Sequence, residues 1–266
     1  MTEPDWAGPV DRDRPSAARM YDYYLGGMHN FAADRELAER VLGTMPEGRL
    51  LARTNRSFLR RAVLACAAAG IDQFLDLGSG IPTAGNVHEI AHRANPSAHV
   101  VYVDNDPVAV AHSLALLDDD PRCAVVRADL RDPAAVLAHP DAHRVLDFDR
   151  PVAILLVSVL HFLTDADDAY GVVERYRQVA VPGSMLVVTH GSSDVELHAG
   201  VGAAQELYQG TTNPWGLRTR AEIERFFGDW PLLDPGLVTA GAWRPDQPAD
   251  PRTASLPLLA GVARRP

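Results

Sequence analysis

Apolar residues come in short runs separated by amphipathic stretches of helix length. The runs at 74–77, 99–103, 124–127, 152–157, 184–190, 237–242 and 256–263 read as strands, and the stretches at about 84–94, 107–117, 165–180 and 219–227 read as helices. This alternation predicts a doubly wound α/β fold: a mostly parallel, seven-stranded sheet with helices on both faces. Positions 152–157 are apolar almost throughout, as in a central strand covered on both sides. "RPDQPADPRTAS", between the last two runs, is turn-rich and lacks an amphipathic period, so those strands are expected to pair antiparallel.

Upstream of the first strand the pattern changes. Residues 1–15 are rich in Pro, Asp and Arg and read as a loose arm. "PSAARMYDYYLGGMHNF" sets three tyrosines beside a Gly-Gly break, and "AADRELAERVL" and "RTNRSFLRRAVLACAAAG" read as helices, with Gly70 placed as a C-cap. One domain over 1–266 is expected, with an arm and helical cap over 1–50 and the α/β core over 51–266. Residues 191–218 exceed the usual length of a connection and are expected to form a lid.

Composition narrows the chemistry. With 266 residues, 47% apolar and 23% charged, the chain can bury one sizeable core. A formal net charge of −10 without a basic stripe argues against nucleic acid as the main partner and for a small molecule. All 25 basic residues are Arg, so a phosphate-loop lysine and a Schiff-base lysine are excluded. Cys66 and Cys123 stand apart, without a CxxC pair, and read as core thiols of a reducing cytoplasm. The start lacks the basic and apolar regions of a signal peptide, and "PVAILLVSVLHFL" falls short of the roughly 20 residues that span a bilayer. A cytoplasmic protein without a membrane partner is expected.

"FLDLGSGIPT", residues 74–83, places a carboxylate, Asp76, in an apolar strand just ahead of Gly78 and Gly80. In an open parallel sheet the loop after the first strand borders the ligand crevice, and glycines there admit a ligand close to the backbone. A dinucleotide fingerprint requires a third glycine, where Thr83 stands, preceded by Pro82. An anionic Asp76 would also repel a pyrophosphate, whereas it attracts a cation. S-adenosylmethionine carries a sulfonium and an ammonium and no phosphate. Asp104 ends the second strand, where a carboxylate can accept both hydroxyls of a ribose, and Asp129 follows the third, where it can accept from an adenine amino group. Either acid alone also fits as a cap of the next helix, Asp129 more readily than Asp104, but three strand-end acids in register point to a nucleoside ligand.

Asp76, Gly78 and Gly80 together resemble the first motif of class I S-adenosylmethionine-dependent methyltransferases, a likeness that covers residues 70 to 190. "RMYDYYLGGMHNF", "FLDLGSGIPTAGNVHEIA" and "VVYVDNDPVAVAH" resemble more narrowly an actinobacterial group of these proteins, formerly a domain of unknown function, nearly end to end. The resemblance implies a Rossmann-like methyltransferase fold with a helical N-terminal cap over the site. It implies a cofactor along Gly78, Ser79, Gly80 and Thr83, a ribose at Asp104, and an adenine near Asn105, Asp129 and Leu130. The chain departs from the broader class at Pro82, and no acceptor is implied.

Other residues have two readings each. "SVLHFLTD" brings Ser158 and His161 to the methyl side of the cleft, where His161 is a general base or a structurally bonded histidine. Tyr21, with Tyr23 and Tyr24, is an aromatic cover for the sulfonium or plain cap packing. Asn30, Asn55 and Arg56 are polar on apolar-patterned cap segments, and Arg56 is a clamp for the cofactor carboxylate or a salt-bridge partner. "HEIAH", His88 to His92, matches the zinc-peptidase pattern, but no third ligand follows and Pro96 soon ends the helix; no metal is expected. The resulting expectation is an S-adenosylmethionine-dependent methyltransferase with an unidentified small-molecule acceptor. A non-catalytic S-adenosylmethionine-binding protein and an NAD(P)-dependent oxidoreductase remain as alternatives.

Overall fold

The computed structural model describes residues 10–83, 85–117, 119–194, 200–248 and 250–266. Its strands are β1 (Gln73–Leu77), β2 (His99–Asp104), β3 (Cys123–Arg127), β4 (Ala153–Val157), β5 (Met185–Gly191), β6 (Val238–Thr239) and β7 (Leu258–Arg264). They form a seven-stranded sheet in the order β3-β2-β1-β4-β5-β7-β6. The first five run parallel, and β7 inserts antiparallel between β5 and β6. The helices are α1 (Ala17–Leu25), α2 (Ala32–Thr44), α3 (Gly48–Ala68), α4 (Val87–Ala94), α5 (Pro107–Leu117), α6 (Pro133–Leu137), α7 (Pro140–Val145), α8 (Ala169–Val179), α9 (Gly200–Tyr208), α10 (Arg220–Glu224) and α11 (Pro251–Ala254).

Every expected strand is present, and only β6 departs much from its expected bounds. It stops at Thr239 because the Thr239 carbonyl accepts from both Ala242 N (2.8 Å) and Trp243 N (3.2 Å), which turns the chain out of the ladder. Two helices start later than their periodicity suggests. Asn86 and Glu89 form a capping box that begins α4 at Val87, and Asp168 accepts from Gly171 N to begin α8 at Ala169. The short α6 and α7, each opened by a proline at its first turn, went unforeseen because five or six residues are too few to show a period.

All five residues of β1 are buried, and alternation sends Phe74 to the face covered by α3 and α4 and Leu75 and Leu77 to the face covered by α7 and α8. Asp76 shares a face with Phe74 and therefore points under α3. The strand order reverses between β1 and β4, and that reversal opens a crevice at the carboxyl ends of the strands.

Helices α1, α2, α9 and the start of α3 cover this end, joined by a cluster including Met20, Tyr24, Val41, Ala52, Ala204 and Tyr208. Gly26, at φ 87°, ends α1, and a Cβ on Gly27 would stand 1.9 Å from Asp22 Oδ1, so only glycine fits there. Within the cap, buried Arg19 of α1 pairs with Asp34 of α2 at 2.8 Å; the cap is bound to the sheet through Asp106, just past β2, which accepts from Ser16 at 2.5 Å and lies 3.5 Å from Arg19. The described end of the expected loose arm is also tied down, since Thr212 N donates to Pro15 O at 3.1 Å and Arg14 donates to Thr211 O at 2.9 Å. Residues 1–9 of that arm, Ala84 of the expected fourth helix and 195–199 of the expected lid lie outside the described residues. Among the described residues, no helix is long and apolar enough to cross a membrane.

Candidate functional site

A cavity of about 440 Å³ lies between the strand ends and the cap, within the roughly 300–1,000 Å³ typical of small-molecule sites. Its floor is the loop after β1. Gly78 N and Ser79 N both donate to Val103 O, at 2.8 and 3.1 Å, which hooks this loop onto β2. Gly78 has φ 70°, and a Cβ there would meet Val159 Cγ2 at 2.2 Å, so the turn demands glycine on both counts. Gly80 has φ 67°, but a Cβ there would meet nothing within 4 Å, so only its backbone conformation favours glycine.

Two carboxylates stand over that loop. Asp104 accepts from Gly80 N at 2.7 Å and from Asp106 N at 2.8 Å, which leaves a further lone pair on each oxygen for another donor. Burial pushes its pKa up to about 6, against the pull of those two amides. Burial also raises Asp76 to about 7, opposed by the nearby Arg56 cation and reinforced by Asp104. Asn105, Asp129 and Leu130 line the next part of the wall. Asp129 is held by Arg131 through two oxygens, and Arg131 reaches on to Asp167 at 3.0 Å; these bonds pull the Asp129 pKa down. Its carboxylate thus already carries a bidentate partner, which the reading of Asp129 as an adenine acceptor did not foresee.

On the far side, Ser158 has φ 57°, an uncommon conformation for a non-glycine residue, and its N–H donates to Thr189 Oγ1 at 2.8 Å. Thr189 donates to Asn55 Oδ1 at 2.8 Å, Asn55 donates to Tyr21 OH at 2.9 Å, and Tyr21 donates to Ala52 O at 3.1 Å. This chain of hydrogen bonds links β4, β5, α3 and α1 across the cavity wall.

His161 lines the cavity on a tight turn after β4, and its Nδ1 is sealed from solvent without a hydrogen-bond partner among the described residues. Burial, with His190 and the Arg218 cation adding to it, holds its pKa well below the usual imidazole value, so the ring is neutral at pH 7. Its backbone is fixed from the segment before α10. Gly216 N donates to His161 O at 2.8 Å, and buried Arg218 donates to Leu160 O at 3.1 Å, Leu163 O at 2.8 Å and His190 Nε2 at 2.7 Å.

The sequence profile of a family described as S-adenosyl methyltransferase matches residues 5–266. The chain belongs to that family. A protein of Thermobifida fusca YX, provisionally assigned as a methyltransferase, is 44% identical with a TM-score of 0.90, over 98% of this chain and 99% of its own. A DUF574 family protein of Streptomyces avermitilis MA-4680 is 39% identical with a TM-score of 0.92, over 97% of this chain and 100% of its own. The ribosomal RNA small subunit methyltransferase H of Halorhodospira halophila is 35% identical over 88 residues, which is 33% of this chain and 26% of that enzyme.

The cofactor of this methyltransferase family is S-adenosylmethionine, and the residues present fit it. Asp76 and Asp104 are acids whose ionised form burial disfavours, the setting in which an arriving sulfonium or ammonium gains most. Open space adjoins Gly80, and no lysine is present for a pyrophosphate.

Of the site residues read from sequence, Tyr21, Arg56, Asp76, Gly78, Ser79, Gly80, Asp104, Asn105, Asp129, Leu130, Ser158 and His161 line the cavity. Two do not. Asn30 donates to Asp22 Oδ2 at 2.8 Å and Gly27 O at 3.0 Å, closing the turn between α1 and α2. The Thr83 hydroxyl turns back to Ile81 O at 3.0 Å. Arg56 donates to Gly85 O at 2.8 Å. In "HEIAH", Glu89 caps its own helix, while His88 bonds Tyr102 OH at 2.7 Å and His92 bonds Ala98 O at 3.0 Å. Thr189, His190 and Arg218 were missed. Two polar residues ending an apolar strand, in "MLVVTH", were the available signal for the first two; nothing local marks Arg218.

Proposed function

We propose that this methyltransferase acts on a small-molecule acceptor enclosed between the strand ends and the cap, with His161 as proton acceptor. Asp76, Gly78, Ser79, Gly80, Asp104, Asn105, Asp129 and Leu130 would hold the cofactor, with Tyr21, Arg56 and Ser158 at its margin. Bound there, S-adenosylmethionine supplies an electrophilic methyl whose C–S bond breaks toward sulfur as the acceptor's nucleophilic atom takes it. The chain aligns the acceptor, excludes water and receives its proton on His161.

The observation that carries this reading is a roofed cavity with buried acids at the strand ends and, in the same wall, a neutral histidine whose buried Nδ1 has no partner among the described residues. A net charge of −10 and the enclosing cap support a small acceptor over a nucleic acid. Two buried free cysteines support a cytoplasmic location, and the hydrogen bonds between cap and core support one domain.

The test is to incubate the protein with methyl-labelled S-adenosylmethionine and a filtrate of small cellular metabolites, in parallel with RNA and with protein extract. Label is expected in the small-molecule arm with matching S-adenosylhomocysteine, and His161→Ala should lower its rate by about 100-fold. Label confined to RNA or protein would contradict the small acceptor. An unchanged rate in His161→Ala would remove the proton-acceptor role.

A further inference from the structure

The cavity wall divides by chemistry. Its charged side chains, Asp76, Asp104, Asp106, Asp129, Asp167, Arg131 and Arg56, all come from the tips of β1 to β4 or from α3. The part around His161 is built instead from rings brought in by separate elements. Phe162 adjoins His161 with centroids 4.4 Å apart, Trp215 stands at 6.3 Å from His161, and Tyr208 of α9 meets Trp215 at 5.8 Å and Phe162 at 6.5 Å. Tyr24 of α1 completes the group through its hydroxyl, 3.3 Å from that of Tyr208. All of these line the cavity, and among the described residues α1, α2 and α9 contribute no charged side chain to it.

The hydroxyls of Tyr24 and Tyr208 share one hydrogen bond, and burial raises the Tyr208 pKa to about 12, so the wall presents ring faces and no charge. Among the described residues, the cations a carboxylate-bearing acceptor could meet are already engaged: Arg131 is held by Asp129 and Asp167, Arg218 by two carbonyls and His190, and Arg56, on the Asp76 side of the cavity, donates to Gly85 O. Nor, among the described residues, would an ammonium find a carboxylate beside His161. Leaving either charge unpaired in such a wall is costly, whereas a flat apolar ring gains from offset or edge contacts. In this aromatic part of the wall, buried Nδ1 of His161 has no partner among the described residues.

We propose that the methyl acceptor is an uncharged, planar aromatic molecule bearing a hydroxyl. Its ring lies among Tyr24, Phe162, Tyr208 and Trp215, and its hydroxyl meets His161. This rests on the methyltransferase reading above and specifies the substrate class of the same site. On transfer the oxygen gains the methyl group, the electron pair of the broken C–S bond stays on sulfur, and the hydroxyl proton passes to the imidazole.

One bicyclic ring in three charge states provides the test: 2-naphthol, 2-naphthoate and 2-naphthylmethylammonium, each titrated calorimetrically into protein saturated with S-adenosylhomocysteine. The neutral phenol is expected to bind at least about tenfold tighter than either charged probe, and Trp215→Ala to weaken it about tenfold. S-adenosylhomocysteine affinity in Trp215→Ala should stay within about twofold of wild type, which shows the variant folded; Tyr208→Ala under the same control repeats the measurement from α9. A charged probe that binds as tightly as 2-naphthol, or 2-naphthol binding indifferent to both substitutions, would overturn the acceptor class while leaving methyl transfer standing. Failure of S-adenosylhomocysteine itself to bind would instead overturn the methyltransferase reading, and this inference with it.

Discussion

The two ends of the cavity are built by different means. At the strand tips, Asp76 and Asp104 are placed by ladder register and by a loop hooked onto Val103 O, so each position follows from its neighbours in sequence. At the cap end, His161, Trp215, Tyr208 and Tyr24 come from four separated segments and meet through tertiary packing and Arg218. The first arrangement tolerates little change, which fits the proposed cofactor end. In the second, rings stand on independent segments away from the sheet, which fits the proposed acceptor end.

Substitutions at the two floor glycines should break the strand-tip end most severely. Gly78→Ala, with both a clash on Val159 and a left-handed φ, is expected to cost about 3 kcal/mol and abolish cofactor binding. Gly80→Ala carries the φ penalty alone, about 1 kcal/mol. Denaturant unfolding with S-adenosylhomocysteine titration measures both, and equal costs would show that the Val159 contact is not what constrains the loop.

Arg218→Met attacks the cap end. It removes the donors to Leu160 O, Leu163 O and His190, with an expected loss of about 2 kcal/mol in stability. Freed from the cation, the His161 imidazole should titrate at higher pH in an NMR titration, while cofactor affinity stays near wild type. A large loss of cofactor affinity would mean that the two ends are not independent.

The pH dependence separates the ends more gently. Asp76 and Asp104 have folded pKa values above their ordinary 3.8, so their contribution to the ligand-free fold is fully present below about pH 4 and is lost as pH rises through about 6 to 7. Affinity for cationic S-adenosylmethionine runs the other way and should fall roughly tenfold from about pH 8 to pH 6 as these acids protonate. Asp76→Asn should flatten that dependence, and a slope unchanged in the variant would assign it to another group. Thr83→Ala, outside the cavity lining, should alter neither stability nor affinity by more than about 0.5 kcal/mol.

The same division governs what the sequence revealed. Seven strands and the strand-tip acids were legible because apolar runs and one carboxylate before two glycines are local patterns. The glycine spacing continues into Thr83, whose hydroxyl bonds its own loop outside the cavity lining. Asn30, also outside that lining, bonds Asp22, eight residues back across the Gly-Gly turn. Arg218 lies 57 positions after His161 and left no pattern, since a guanidinium bonded to carbonyls reads in sequence like any surface arginine. In the described part of the expected lid, Tyr208 of α9 is seated in the cap cluster, a contact no single segment encodes.

The most direct test of the central claim is calorimetric titration of the wild-type protein with S-adenosylmethionine and with NADH, near pH 7 and in two buffers of different ionisation enthalpy. Buried acids that select a phosphate-free cation predict that S-adenosylmethionine binds with release of protons from Asp76 and Asp104, and that NADH gives no binding heat. Tight binding of NADH with none of S-adenosylmethionine would contradict the account.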